Sequence, residues 1–364
     1  QFVAPVSGTY FDNVSPIDGK VFTQAARSGK EDIELALDAA HAAFPSWSKS
    51  SPTSRSILLN KIADVMEQNL AYLATIETID NGKPYRESSL VDLPLCIDHY
   101  RYFAGVIRAE EGTISEHDEH TVSICLNEPI GVVGQIIPWN FPLLMATWKI
   151  APALAAGNSV ILKPSEKSPL SAIRIAELAM QAGIPAGVFN VLPGFGKGAG
   201  EPLALHMDVD GLVFTGSTGV GKHLLQCAGR SNMKRAFMEC GGKSPNVVFA
   251  DAPDLEEAAK AAAIGIFFNQ GEVCTAASRL LVERSIKDEF VKMVVAAGKD
   301  LHPMHPFDPS APMGAIVDEV QMNHVLKYIE KGKAEGAEVV LGGERVMTET
   351  GGDYIAPTVF NEVE

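Results

Sequence analysis

Residues 130–137 read Ile-Gly-Val-Val-Gly-Gln-Ile-Ile, an apolar run interrupted by one polar side chain, which is typical of a buried strand. Similar short apolar runs follow along the chain, at 159–163, 188–192, 212–215 and 235–239. The segments between these runs are long enough for helices, which are predicted at 142–156, 168–182, 198–207 and 218–228. Strands that alternate with helices predict a parallel sheet that binds ligands at the carboxyl ends of its strands. The predicted fold class is therefore α/β.

The sequence before this region predicts two helices and a hairpin. Ser28-Gly29-Lys30-Glu31 has the pattern of a capping box, and apolar residues then recur at helical spacing across 33–44. A second helix is predicted at 54–79. Its end is placed there because Gly and Pro in the segment 81–84 are typical of a helix end. The segment 112–124 alternates around a polar tip and predicts a hairpin arm.

The sequence after the central region predicts a second α/β region. A helix is expected at 254–268, a strand at 279–282 and a further helix at 286–300. A chain of 364 residues is long enough for two or three domains.

Composition and charge restrict the partners. Hydrophobic residues make up 46% of the chain and charged residues 21%, which is typical of a globular protein. The 30 Lys and Arg residues against 45 Asp and Glu residues give a net charge of −15, which argues against a nucleic-acid or anionic-lipid partner. No apolar run reaches the roughly 18 residues that a membrane span needs. We therefore expect neither a nucleic-acid nor a membrane partner.

The cysteines predict a reducing environment. The five cysteines are widely spaced and contain no C-x-x-C pair, so neither a disulfide framework nor a metal site is predicted. His117 and His120 lie at the acidic hairpin tip, where we expect solvated side chains rather than metal ligands. A cytoplasmic location fits this cysteine usage best.

Two glycine-rich segments compete for a phosphate-binding role. The segment 194–199 matches the dinucleotide pattern G-x-G-x-x-A, and the segment 216–222 matches the P-loop pattern G-x-x-x-x-G-K. In the second segment His223 stands where a P-loop has a Ser or Thr that binds magnesium. A helix N-terminus after either segment could hold a pyrophosphate. The segment 216–222 therefore leaves a P-loop phosphotransferase as an alternative function. An inactive oligomerising scaffold is a separate, non-enzymatic alternative.

Three further positions carry reactive groups. Cys274 follows a polar turn after an apolar helix, where a thiol is accessible enough to act as a nucleophile. Glu239 ends an apolar strand, where desolvation would suit a general base, although a surface carboxylate is the simpler interpretation. Asn140 follows the strand at 130–137, and its amide could stabilise an oxyanion or cap the next helix.

Five motifs in order resemble the aldehyde dehydrogenase superfamily. They are Pro138-Trp139-Asn140-Phe141-Pro142, Lys163-Pro164-Ser165-Glu166, Phe214-Thr215-Gly216-Ser217-Thr218, Glu239-Cys240-Gly241-Gly242-Lys243-Ser244-Pro245-Asn246 and Asn269-Gln270-Gly271-Glu272-Val273-Cys274. The similarity extends from Tyr10 to Phe360. The first half is most similar to bacterial acetaldehyde dehydrogenases, and the stretch from Gly196 through Cys274 to γ-glutamyl-γ-aminobutyraldehyde and guanidinobutyraldehyde dehydrogenases.

This resemblance implies the superfamily fold and its domains. A Rossmann-type parallel sheet would form an NAD-binding domain from residues 1–106 and 130–239. A β-hairpin oligomerisation arm would comprise 107–129, and an α/β catalytic domain would comprise 240–364. The resemblance also implies that the chain is C-terminally incomplete, because it ends before the family's Phe-Gly-Pro segment.

The resemblance further implies the chemistry. Cys274 would attack an aldehyde to form a thiohemiacetal, and Asn140 with the Cys274 N–H would stabilise the oxyanion. After hydride transfer to NAD, Glu239 would activate the water that hydrolyses the thioester to a carboxylic acid. Glu166 would favour NAD over NADP, because a carboxylate repels a 2′-phosphate. The implied substrate is an aliphatic or amino-aldehyde.

The remaining implied residues form two sets. The cofactor-binding set is Ile137, Pro138, Trp139, Lys163, Ser165, Glu166, Gly196, Phe214, Gly216, Ser217, Gly219, Cys240 and Gly241. The substrate-pocket set is Phe141, Met145 and Trp148. The resemblance also implies a homodimer or homotetramer.

Overall fold

The computed structural model describes residues 2–363, so Gln1 and Glu364, the outer limits of the predicted domains, lie outside it. The helices are α1 (Lys30–Ser48), α2 (Pro52–Gln68), α3 (Leu70–Asn81), α4 (Tyr85–Glu87), α5 (Leu93–Ala109), α6 (Pro142–Ala155), α7 (Leu170–Gln181), α8 (Glu201–Leu205), α9 (Thr218–Arg230), α10 (Leu255–Phe267), α11 (Lys287–Lys299) and α12 (Glu319–Ala334). The strands are β1 (Tyr10–Val14), β2 (Val21–Ala26), β3 (Thr113–Asp118), β4 (Thr121–Cys125), β5 (Val132–Ile136), β6 (Ser159–Lys163), β7 (Phe189–Val191), β8 (Gly211–Gly216), β9 (Arg235–Cys240), β10 (Pro245–Val248), β11 (Arg279–Val282), β12 (Glu338–Leu341), β13 (Arg345–Val346), β14 (Tyr354–Ile355) and β15 (Val359–Asn361).

The chain divides into two compact units, each built from separated segments. The first unit contains the residues up to Phe11 together with Ala25–Leu73 and Asp92–Glu239. The second contains Asp12–Gln24, Ala74–Val91 and the residues from Cys240 onward. The cofactor, arm and catalytic domains of the sequence analysis were defined by function, whereas these two units are defined by compactness. The functional domains therefore remain predictions.

The first unit is built on a five-stranded sheet with the order β7-β6-β5-β8-β9. Strands β5 to β8 pair in parallel, as predicted. Every residue of β5 is buried, because helices cover both faces of the sheet. Val132 and Ile136 pack with α1, α8 and α9 on one face, whereas Gln135 on the other face donates to the Lys149 carbonyl of α6 (2.8 Å).

Strand β9 differs from the buried strand expected at 235–239. It lies at the edge of the sheet, and its burial alternates instead of being continuous. An edge strand is covered less completely than a central one, which accounts for the exposed side chains of Arg235, Phe237 and Glu239.

The predicted capping box of α1 was wrong by one residue. The N-cap is Gly29, whose N–H donates to Asp32 Oδ2 (2.8 Å). The other oxygen of Asp32, Oδ1, accepts from the Val6 N–H (2.9 Å). Asp32 is buried and Glu31 is exposed, so Asp32 satisfies the helix end while also holding the N-terminal segment.

Two predicted helices are divided in the structure. The helix expected at 54–79 breaks at Asn69, whose Nδ2 donates to the Val65 carbonyl (2.8 Å) and so competes with the helical backbone. The helix expected at 198–207 is a π-helical turn, Gly196–Gly200, followed by the short helix α8.

The predicted hairpin is present as β3 and β4, which pair antiparallel. All residues of both strands are exposed. Ile114 pairs with Ile124, and Glu116 pairs with Val122. The two pairs share one face of the hairpin, because side chains alternate along a strand. Ile114, Val122 and Ile124 therefore form an exposed apolar face.

The second unit contains the later α/β region. Strands β10 and β11 pair in parallel and pack against α10 and α11 around Phe290, which is fully buried. Two antiparallel pairs, β12–β15 and β13–β14, lie in the same unit. Among the described residues of either unit, no helix is both long and apolar enough to cross a bilayer.

The Asp32 contacts predict a site-specific loss of stability. We expect Asp32→Ala to lower the free energy of unfolding by about 1–2 kcal/mol, because it removes two hydrogen bonds at a helix start. Glu31→Ala, at the exposed neighbouring position, should cost less than about 0.5 kcal/mol. Urea denaturation followed by circular dichroism measures both variants. A larger loss for Glu31→Ala would contradict the observed cap.

Candidate active site

The register of three strands brings the predicted cofactor residues to one edge of the sheet. Ile136 on β5 pairs with Lys163 on β6 and with Phe214 on β8. Neighbouring strands lie about 4.8 Å apart, so Lys163 and Phe214 are separated by about 10 Å along this row. The chain leaves the sheet close to this row, after Ile136 on β5, after Lys163 on β6 and after Gly216 on β8. Ligands of open parallel sheets bind at such an edge.

Lys163 and Glu166 form a partly buried ion pair at this edge. Lys163 is 3% exposed, and its Nζ lies 3.2 Å from Glu166 Oε2. Burial lowers the pKa of Lys163, and the Glu166 carboxylate opposes that effect. Ser165, which lies between these two residues in the sequence, is also buried. Its Oγ accepts from the Lys167 N–H (3.2 Å). A buried ammonium and a half-buried carboxylate can together bind the hydroxyl groups of a ribose.

The turn from β8 into α9 is shaped for an anion. A Cβ on Gly216 would lie 2.5 Å from the Phe214 ring, so only glycine fits there. Ser217 caps α9, and its Oγ accepts from the Val220 N–H (3.3 Å). A Cβ on Gly219 would meet no atom within 4 Å, which leaves the first helical turn open. An open helix N-terminus can bind a pyrophosphate.

The same turn does not form a P-loop. Strand β8 ends at Gly216 and α9 begins at Thr218, so Ser217 alone connects them. Residues 219–222 are already helical. A P-loop needs several non-helical residues to surround a triphosphate, and the structure therefore gives the phosphotransferase alternative no support.

The other glycine-rich segment mainly connects and packs. A Cβ on Gly194 would lie 2.9 Å from the Ser28 carbonyl oxygen. The Phe195 ring lies 5.1 Å from the Phe11 ring and 5.0 Å from the Arg27 guanidinium carbon. Gly196 opens the π-helical turn, and a Cβ there would meet no atom within 4 Å. The predicted contact of Gly196 with the cofactor stays a prediction.

Trp139 and Asn140 occupy the segment between β5 and α6. The Trp139 carbonyl accepts from Ser168 Oγ (3.3 Å), and the Lys167 ammonium lies 5.3 Å from the centre of its ring. The N-cap of α6 is Phe141, so Asn140 is not the capping residue that the simpler interpretation required. This placement leaves the oxyanion role open to Asn140.

The three residues predicted to line the substrate pocket differ in their exposure to solvent. Phe141 and Met145 are buried, whereas Trp148 is 45% exposed. His99 of α5 stacks on Trp148, with ring centres 5.6 Å apart and planes inclined by 29°. His99 also contacts the Leu95 carbonyl through Nδ1 (2.7 Å). The contact of His99 with Trp148 was not predictable from sequence, because the two residues lie on different helices.

Lys149 is a second residue that sequence reasoning missed. It is 7% exposed, and its Nζ donates to Thr215 Oγ1 (2.6 Å) at the end of β8. This hydrogen bond joins α6 to the residue before the Gly216 turn. The one available signal was a lone lysine within an otherwise apolar helix.

In the second unit, Cys274 follows a strained turn. Asn269 and Gln270 have φ values of 48° and 57°, a left-handed conformation that costs about 1–2 kcal/mol for each non-glycine residue. Buried side chains hold this turn in place. Gln270 Oε1 accepts from the Gly314 N–H (3.1 Å), and Glu272 Oε1 accepts from the Val317 N–H (3.1 Å). Cys274 itself is exposed, as the polar turn in the sequence predicts.

Cys240 and Gly241 lie in a segment that contacts the loop containing Cys274. The Gly242 N–H donates to the Cys274 carbonyl oxygen (3.3 Å), which brings this segment beside Cys274. Cys240 is exposed. Glu239, the preceding residue, is also exposed, so the desolvation expected for it from the apolar strand is absent. Its position near the end of the edge strand β9 is the physical reason.

Known proteins match the chain along nearly its full length. The model of the aldehyde dehydrogenase family matches residues 2–364. A long-chain-aldehyde dehydrogenase of Acinetobacter is 52% identical over 99% of this chain and 72% of that protein. The crystal structure of the aldehyde dehydrogenase KauB of Pseudomonas aeruginosa is 52% identical with a TM-score of 0.99, over 100% of this chain and 74% of KauB.

Several of the similar structures contain NAD. A variant of AldA of P. syringae, an indole-3-acetaldehyde dehydrogenase in complex with NAD+ and IAA, is 51% identical with a TM-score of 0.99. That match covers 100% of this chain and 74% of AldA. These findings confirm the resemblance drawn from the five motifs and the predicted α/β fold class. The protein is a member of the aldehyde dehydrogenase family.

Proposed function

We propose that this protein oxidises an aldehyde to its carboxylic acid, with Cys274 as the nucleophile and NAD as the cofactor. The observation that carries the proposal is the exposed Cys274 thiol, which follows a strained turn held by buried Gln270 and Glu272. A nucleophile must be both accessible and held in one orientation. The assignment to the aldehyde dehydrogenase family supports the reaction class.

The carboxyl edge of the sheet fits the proposed cofactor. Lys163 and Glu166 would hold the adenosine ribose, and the first turn of α9 would hold the pyrophosphate. The cradle at Gly216, which a Cβ would fill, supports this fit. The NAD+ in the similar AldA structure supports it as well. When bound, NAD supplies a two-electron acceptor for hydride.

The residues of the chain would then perform the addition of the thiol to the aldehyde and the later hydrolysis of the thioester. The Cys274 thiolate attacks the aldehyde carbon and forms a C–S bond, and the carbonyl oxygen becomes an oxyanion. The Asn140 amide and the Cys274 N–H donate to that oxygen. Loss of hydride from the adduct leaves a thioester on Cys274. A water deprotonated by Glu239 attacks this thioester, which releases the acid and returns the thiolate.

The proposed substrate class is an aliphatic or amino-aldehyde. Trp148 is the exposed member of the predicted apolar entrance, and Phe141 and Met145 pack beneath the surface. An apolar entrance favours an aldehyde with a hydrocarbon chain or ring. The similar protein named for long-chain aldehydes is consistent with the aliphatic part of this class.

We further propose that the hairpin of β3 and β4 joins copies of the chain into a homodimer or homotetramer. The apolar face of Ile114, Val122 and Ile124 supports this role, because an exposed apolar hairpin is a typical contact surface. The cytoplasm is the proposed location. Five free cysteines are typical of a reducing compartment.

The first prediction of this proposal concerns the two exposed thiols of the second unit. We expect Cys274→Ala to abolish acid formation while leaving NAD affinity nearly unchanged, because the proposed ribose and pyrophosphate contacts come from other residues. Cys240→Ala is the matched control, and it should retain turnover. Steady-state NADH absorbance and calorimetric NAD titration measure the two effects. Turnover of Cys274→Ala at the parent rate would disprove the nucleophile assignment.

The second prediction concerns cofactor choice. We expect Glu166→Gln to narrow the preference for NAD over NADP, because it removes a charge that would repel the 2′-phosphate. Glu177→Gln, which removes a partly exposed carboxylate of α7 that pairs with Arg174, is the control and should leave the preference unchanged. The ratio of kcat/KM for the two cofactors is the measurement. Equal use of both cofactors by the parent protein would show that Glu166 does not select between them.

The third prediction separates hydride release from hydrolysis. Glu239→Gln should form about one NADH per active site rapidly and then stall, because addition and hydride loss need no activated water whereas thioester hydrolysis does. Stopped-flow absorbance after mixing with NAD and aldehyde measures the burst. An unchanged steady rate would show that another group activates the water. Loss of the burst would show that Glu239 acts before hydride transfer.

A further inference from the structure

Three potential metal ligands converge in the first unit, away from any role assigned above. They are Glu201 at the start of α8, and His223 and Cys227 on α9. The two α9 residues are four positions apart, so their side chains lie on the same face of the helix. One ligand atom from each residue lies within 4.8 Å of the other two. This group of residues could not be predicted from sequence, because Glu201 is far from the other two along the chain.

Two of the three distances between these atoms match a tetrahedral zinc site, and the third, between Glu201 and Cys227, is within 4.8 Å. Bond lengths of about 2.0–2.3 Å and tetrahedral angles place nitrogen and oxygen ligands about 3.4 Å apart, and nitrogen and sulfur ligands about 3.6 Å apart. The observed distance from His223 Nε2 to Glu201 Oε1 is 3.4 Å, and that from His223 Nε2 to Cys227 Sγ is 3.7 Å. An ion could therefore be bound with little movement of either helix.

We propose that Glu201, His223 and Cys227 bind one Zn²⁺ ion, with water as the fourth ligand. Thiolate and imidazole ligands together select Zn²⁺ over Mg²⁺ and Ca²⁺, which prefer oxygen ligands. A thiolate and a carboxylate carry two negative charges, which balance the charge of the ion. The His223 and Glu201 side chains are 45% and 33% exposed, so the ion can enter from solvent.

The surroundings of the three ligands are consistent with this assignment. Cys227 is buried in the core that α8 and α9 share with the sheet, so its sulfur would bind the ion from beneath. Burial raises the pKa of the Cys227 thiol, the Glu201 carboxylate adds to that effect, and the cations Arg230 and Lys234 oppose it, so a bound ion would displace the thiol proton. The Lys234 ammonium is held by the Ala204 carbonyl (2.8 Å) and Ser231 Oγ (2.7 Å). That ammonium therefore has its own partners.

A bound ion would tie α8 to α9. Helix α9 also carries the proposed pyrophosphate-binding turn at its start, and α8 follows the π-helical turn that contains Gly196. Binding to the folded state alone raises the unfolding temperature by mass action. The site is thus a structural clamp within the unit that is proposed to bind the cofactor, and it is separate from the chemistry at Cys274.

Metal titration of the reduced, chelator-treated protein tests the proposal. The parent for this test carries Cys240→Ser and Cys274→Ser, which remove the exposed thiols of the second unit as competing ligands. Co²⁺ serves as the spectroscopic probe, because a tetrahedral thiolate site gives a charge-transfer band and intense visible bands. We expect these bands to saturate at one equivalent and to disappear when Zn²⁺ is added. We also expect Zn²⁺ to raise the unfolding temperature.

Variants of the individual ligands assign the site. Cys227→Ala should remove the charge-transfer band, and His223→Gln should weaken Zn²⁺ binding by more than about 10-fold, since even residues behind the ligands contribute 10-fold or more. Cys125→Ala, at an exposed cysteine of the hairpin, is the matched control and should change neither property. His223 is at the surface, so its variant is informative even if Cys227→Ala does not fold.

Two results would overturn the proposal. One is the absence of a band at one equivalent of Co²⁺ in the parent. The other is unchanged Zn²⁺ affinity in His223→Gln. Either result would leave His223 and Glu201 as a surface side-chain contact over a buried thiol. Neither would bear on the proposed aldehyde chemistry, which is tested at other residues.

Discussion

The backbone pairing of β5 with its two neighbours is the constraint on which the candidate cofactor site depends. It places Lys163, Ile136 and Phe214 in one row, so three loops with different side chains leave the sheet at the same edge. A shift of one residue would turn every side chain of β5 to the opposite face. Gln135 would then leave its partner on α6, and Val132 and Ile136 would leave the core formed with α1, α8 and α9. Burial on both faces therefore protects the register, and the register positions the loops.

In the second unit, the candidate nucleophile lies on a loop rather than at a strand end. Strand register therefore cannot hold it in place, and side-chain hydrogen bonds are needed instead. Asn269 and Gln270 adopt a conformation that is unfavourable for side chains with a Cβ. Gln270 and Glu272 accept hydrogen bonds from the backbone of the segment 314–317, and both side chains are buried. A charged or amide group buried in this way strongly favours one arrangement, since moving it would leave polar groups unpaired. Rigid support thus lies directly beneath an exposed thiol.

The sequence predicted what depends on local pattern. The alternation of apolar runs and helices gave the parallel sheet, and the alternating segment around a polar tip gave the hairpin. Contacts between distant segments could not be predicted in this way. At the start of α1, Asp32 and not Glu31 accepts from the N-cap residue, and Asp32 also accepts from the distant Val6 N–H. Lys149 and His99 have partners on other elements, and the exposure of Glu239 follows from the position of β9 in the sheet order. Each of these outcomes depends on tertiary neighbours that periodicity does not encode.

The discontinuous composition of the two units has a consequence for folding during synthesis. Residues 12–24 and 74–91 are made early but belong to the second unit, most of which follows residue 240. The Ile17 carbonyl, for example, accepts from the Tyr354 hydroxyl (3.1 Å), a partner that the ribosome adds 337 residues later. Chains generally fold from the N-terminus as they emerge, so the first unit can become compact while these two segments still lack their final neighbours. Contacts across such long stretches of chain also slow folding. The second unit is therefore the part whose assembly most depends on protection of its early segments from aggregation.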